Sequence, residues 1–74
     1  MPYDYSKLYG LIVEKYGTQA NFAKALGISE RSLSLKLTGK RPWKQPQISR
    51  SCELLGISDI DLQLYFFTIK VQLN

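Results

Sequence analysis

The 74 residues contain no histidine and a single cysteine, Cys52. Without histidine the usual general base is missing, and one thiol cannot make a zinc set. Cys52 has no partner for an internal disulfide, and in "SRSCELLG" it stands among apolar helix positions, so it reads as a small core residue. No constellation of nucleophile, base and stabiliser emerges, and the sequence predicts no enzyme, no metal, no cofactor and no small-molecule substrate. Long apolar runs are missing as well. The opening "MPYDYSKLYG" is polar and tyrosine-rich, so neither a membrane span nor a secretory signal is expected, and the cytoplasm is the default compartment. Repeats and low-complexity linkers are absent, and the length suits one domain over residues 1–74. A chain of this size buries only about 60% of its unfolded surface, so its core must be economical.

Acids are missing from one stretch in particular. Residues 31–50 hold Arg31, Lys36, Lys40, Arg41, Lys44 and Arg50 with no Asp or Glu; with the whole chain at +4, the remainder carries a net −2. Such a concentrated patch on a small domain points to a polyanion, most often nucleic acid, although a solvated face without a ligand has the same composition.

Glycine and proline divide the chain into five short helical lengths. In "YDYSKLYGLIVEKYG" Tyr5, Leu8, Leu11 or Ile12, and Lys15 or Tyr16 recur at three and four residues, with Asp4 placed to cap the start and Gly17 to end it. Gly10 weakens this helix by about 1 kcal/mol relative to alanine, and a close approach of another helix is the expected reason for it. "TQANFAKALG" has Thr18 as cap, Phe22, Ala23 and Leu26 on one face, and Gly27 as stop. "PQISRSCELLG" places Pro46 in a first turn and Ile48, Cys52 and Leu55 on one face. "SDIDLQLYFF" reads as a helix capped by Ser58 or Asp59, with strand as the alternative for Ile60, Leu62, Leu64 and Phe66. The tail "TIKVQLN" alternates and reads as a short strand or coil.

The ambiguous segment is "SERSLSLKLTGKRPWK". Leu33, Leu35 and Leu37 alternate as in a strand, yet Ser29 starts a helix and Gly39 with Pro42 stops one. At about 100° per residue Leu33 and Leu37 share a face and Leu35 lies nearly opposite. The helical reading therefore sends two leucines inward and one outward.

Together the second and third helices resemble a known unit. "TQANFAKALGISERSLSLKLTGK" is similar to the helix-turn-helix of phage Cro and repressor proteins, over about residues 18–38. Gln19, Ala23 and Gly27 match its opening, its helix contact and its turn; Ile28, Leu33 and Leu37 match the seal. Ala23 must be small where the second helix crosses it, since overpacking costs about 1–3 kcal/mol. Over most of the chain, from "YSKLYGLIVEKYG" to "LGISDIDLQLYFFTIKVQ", the sequence resembles small Cro-like proteins of temperate phages of Gram-positive bacteria, among them modulators of repression.

The resemblance implies an all-α domain of five short helices of the lambda-repressor or Cro type. It also implies transcriptional regulation in the choice between lysis and lysogeny, as an antirepressor that binds operator DNA, the phage repressor, or both. By resemblance, Glu30, Arg31, Ser34 and Leu35 match base-reading positions and Gln19 a phosphate-clasping one. Thr38 shares the stripe of Arg31, Ser34 and Leu35 at spacings of three, four and seven. Arg31 suits guanine, Glu30 cytosine, Ser34 several bases and Leu35 only a thymine methyl. Lys36, Lys40, Arg41 and Lys44 are placed to neutralise phosphates. Trp43 is expected to fold onto the domain. Leu35 with Arg31 also suits a protein surface, so a purely protein-binding modulator that covers the reading face of a repressor is the alternative. Tyr3, Tyr5, Phe66 and Phe67 are further candidates for a sticky surface, with core or subunit packing the preferred reading, and a homodimer spanning two half-sites is left open.

Overall fold

The computed structural model describes residues 3–70, and the strand or coil reading of 71–74 lies outside them. Five helices follow in order: α1 Ser6–Tyr16, α2 Gln19–Leu26, α3 Glu30–Leu37, α4 Gln45–Leu55 and α5 Leu62–Phe66. The fold is all-α, and α2 sits at its centre, packed against α1, α3 and α4, while α1 also meets α4 and α5. The only extended pairing among the described residues is an antiparallel bridge between Tyr3 and Ile69, supported by Asp4 N donating to Thr68 O at 2.7 Å. None of the helices is long and apolar enough to cross a membrane.

Local chemistry starts and stops the first four helices close to where expected. Thr18 Oγ1 accepts from Asn21 N at 3.1 Å and Ser29 Oγ from Ser32 N at 3.0 Å, so both short central helices have side-chain caps. Asp4 Oδ1 accepts from Ser6 N at 2.9 Å at the head of α1. Gln47 Oε1 accepts from Lys44 N at 3.1 Å across the first turn of α4, where Pro46 also sits. Gly27 ends α2 in the left-handed region at φ 85°, and Ala23 O accepts from both Gly27 N and Ile28 N.

The core joins Leu8 and Ile12 of α1, Phe22 and Ala23 of α2, Leu33 of α3, Ile48 and Leu55 of α4, then Ile57 and Phe66. Tyr16 ties three helices together: its ring meets Phe22 edge-on at 5.2 Å and its hydroxyl donates to Leu54 O at 3.3 Å. Trp43 folds onto the domain, with its ring edge-on to Phe66 at 5.2 Å and tilted toward Tyr5 at 6.3 Å. Phe66 is core and Tyr5 packs against it, whereas Tyr3 and Phe67 stay partly exposed and meet each other edge-on at 5.7 Å.

Two local expectations need correction. Gly10 is exposed, and a Cβ built there meets nothing within 4 Å, so no helix approaches it closely. Neither Ser58 nor Asp59 caps α5. The helix begins at Leu62, and Ser58 instead closes a turn with Asp61, accepting from its N–H at 3.4 Å and donating to its carboxylate at 3.3 Å. That turn leaves Ile60 91% exposed, outside the apolar face assigned to it.

Candidate interaction face

The "LSLKL" alternation resolves as a helix. Leu33 is fully buried and Leu37 packs half-buried against the core, whereas Leu35, also half-buried, is outside the core cluster. With α3 held by Leu33 and Leu37, its other side presents Glu30, Arg31, Ser34 and Thr38, all exposed, with Leu35 among them. The hydroxyl of Thr38 is turned back on its own helix, donating to Ser34 O at 2.9 Å, so its oxygen offers an acceptor outward and no spare proton. Gln19, the first residue of α2, is half-buried beside this face.

The basic cluster divides. Lys40, Arg41 and Lys44 are exposed on the segment between α3 and α4, but Lys36 is only 3% exposed. Its placement on an exposed flank is therefore corrected: Lys36 Nζ donates to Pro42 O at 3.0 Å and lies 6.0 Å from the centre of the Trp43 ring. Burial lowers the Lys36 pKa below the ordinary lysine value, and the neighbouring charges of Arg41 and Lys44 push the same way. A buried ammonium already bonded to the chain acts as a fastener for the loop and is not available to an external phosphate.

Further bonds fasten the same segment. Leu35 O accepts from Lys40 N at 2.9 Å and from Arg41 N at 3.1 Å, and Arg41 Nη1 donates to Ser32 Oγ at 3.3 Å. The exposed cations are thus carried on a loop folded back along α3, and their charge is displayed next to the helix's outward side.

A groove of about 550 Å³ runs alongside that side, lined by Ser34 and Leu37 of α3, by Thr38 just after it, by Gln19, by Tyr9 of α1 and by the paired terminal segments. Sequence spacing placed Tyr9 on no face. The available signal was its position one residue past Leu8, at the edge of the apolar stripe, where a large side chain is half covered. In the same groove the Asp4 carboxyl is held below its ordinary pKa, first by the Ser6 N–H it accepts, with the charges of Lys70 and Lys7 adding to the effect.

Residues 1–69 match a family described as a protein of unknown function, DUF739. A solution structure of the modulator of repression of the temperate bacteriophage TP901-1 from Lactococcus lactis superposes with a TM-score of 0.79, at 50% identity, covering 97% of each chain. The chain is a DUF739 protein of the modulator-of-repression type. Among curated proteins no sequence matches it. At half identity over nearly the full length, the five-helix arrangement is that of the phage relative.

Proposed function

We propose that this chain regulates the lysis and lysogeny decision of a temperate phage or prophage by binding that phage's repressor in the bacterial cytoplasm, without catalysis or cofactor. The observation that carries the proposal is the 50% identity with a modulator of repression over 97% of both chains. The outward side of α3, with Arg31 and Leu35 as anchors, is the contact surface in this reading. Leu35 supports it: an aliphatic side chain off the core, set among polar neighbours, gains more from a partner's apolar surface than from a nucleic-acid groove.

A second reading is favoured by the exposed Lys40, Arg41 and Lys44 beside α3. In it α2 and α3 act as a helix-turn-helix on operator DNA, with Gln19 and the three loop cations on phosphates and Glu30, Arg31, Ser34, Leu35 and Thr38 toward base edges. Affinity would then fall steeply with salt. The two readings separate in one experiment. Isotope-labelled chain is titrated with the repressor of the same phage or prophage, and separately with duplex DNA at low salt, following backbone amides by NMR. Shifts on residues 30–38 with repressor support the first reading. Shifts there only with DNA replace it with the second, and none with either removes both.

A further inference from the structure

The groove beside α3 differs in chemistry from the basic loop. Its lining contains one cation, Lys70, and one anion, Asp4, so it has no net positive charge, and three of its residues are tyrosines: Tyr3, Tyr5 and Tyr9. Tyr3 is 41% exposed, even with its ring edge-on to Phe67, and Tyr9 is 48% exposed, so both keep surface that a partner can cover. Rigid, amphipathic tyrosines are enriched where proteins bind proteins, because they cover large areas at low entropic cost. A phosphate strand laid in the groove would instead meet the Asp4 carboxylate, which has no ion-pair partner among the described residues; the one ion pair among them, Arg50 with Glu53, lies on α4 and outside the groove.

The groove is also continuous with the face already assigned to the repressor. Ser34 and Thr38 belong both to the outward stripe and to the groove wall, so a partner covering that stripe also touches the groove. A repressor's DNA-reading surface is rich in lysine and arginine, and a chain at +4 needs a local carboxylate to receive one. We infer that the groove seats an element of the repressor, with an apolar side chain lodged between Tyr3 and Tyr9 and a lysine or arginine beside it paired with Asp4. This inference rests on the repressor-binding reading and extends its contact surface from α3 onto α1 and the terminal segments.

The test uses the full chain and the repressor of the same phage or prophage in calorimetric titrations. Three variants are compared: Tyr9→Ala, Asp4→Asn, which keeps the acceptor for Ser6 N but removes the charge, and Leu35→Asp, which probes the underlying reading. Amide dispersion of each variant confirms the fold, and Tyr9→Phe provides a ring-retaining control. The expected result is a loss of repressor affinity of about tenfold or more for Tyr9→Ala. Asp4→Asn should lose several-fold and show a flatter salt dependence, and neither variant should weaken any binding to duplex DNA. If Leu35→Asp abolishes repressor binding while Tyr9→Ala and Asp4→Asn bind like the parent, the reading stands and the groove inference is overturned. If the parent itself does not bind the repressor, both fall. Weakened DNA binding by Tyr9→Ala with repressor binding intact would assign the groove to nucleic acid and overturn the inference too.

Discussion

Lys36 Nζ donates to the carbonyl oxygen of Pro42 at 3.0 Å, bridging α3 to the loop that carries the exposed cations. The bond places a buried charge under the basic cluster, and burial is the main cause of its lowered pKa. Because the folded-state pKa lies below the unfolded one, the unfolded chain holds this proton more tightly. Stability attributable to Lys36 therefore rises as pH climbs through the folded pKa toward 10.5. Comparing chemical denaturation of the parent with Lys36→Met from pH 7 to pH 10 should show the parent gaining on the variant. At neutral pH the methionine chain should fold with stability within about 1 kcal/mol of the parent, since replacing a buried charge by an apolar chain of similar length is often neutral or better. A pH-independent difference would show that Lys36 keeps an ordinary pKa.

Gly10 should be improvable. It lies inside α1 in open space, so Gly10→Ala should stabilise the domain by about 0.5–1 kcal/mol through helix propensity alone. A thermal melt decides it, and a lowered midpoint would mean that the position is sterically restricted after all.

Gly27 should respond in the opposite direction. A Cβ there also meets open space, but φ is 85°, so Gly27→Ala must adopt a left-handed backbone that costs about 1–2 kcal/mol. Urea denaturation should show that loss, with the largest amide changes at the turn between α2 and α3.

Leu33 is fully buried under α3, and Leu33→Ala should cost about 2–5 kcal/mol, enough to threaten a domain this small. Leu35→Ala, by contrast, should cost under about 1 kcal/mol because Leu35 stands outside the core cluster. The pair measures directly which leucine holds α3 and which is displayed by it.

These contrasts show how far the sequence could be read. The helical fate of "LSLKL" was legible because a Ser cap at residue 29 and a glycine stop at residue 39 outweigh a two-residue alternation, and the leucines then sort by angle. The stripe of Arg31, Ser34, Leu35 and Thr38 followed from the same angle, whereas Glu30 was placed by resemblance alone. Lys36 was not legible: three of its neighbours in the chain are leucine or serine, and its burial arises only when the loop through Pro42 and Trp43 folds back over it, a tertiary event that hides a long aliphatic stem. The groove was hidden for a similar reason, since Tyr3 and Ile69 pair from opposite ends of the described chain. The start of α5 was misplaced because Ser58 spends its hydroxyl on a turn, an alternative that serine offers as readily as a cap.

The pairing of Tyr3 with Ile69 brings residues 3 and 70 to the same edge of the molecule. A few glycines and serines joining them would close the backbone into a ring, and a cut elsewhere, in the exposed turn at 59–60, would give a rearranged chain with the same helices in a new order. The same proximity has a second consequence: Tyr3 and Lys70 line one groove with Tyr9 and Gln19, so trimming either terminal segment would open that groove as well as shorten the chain.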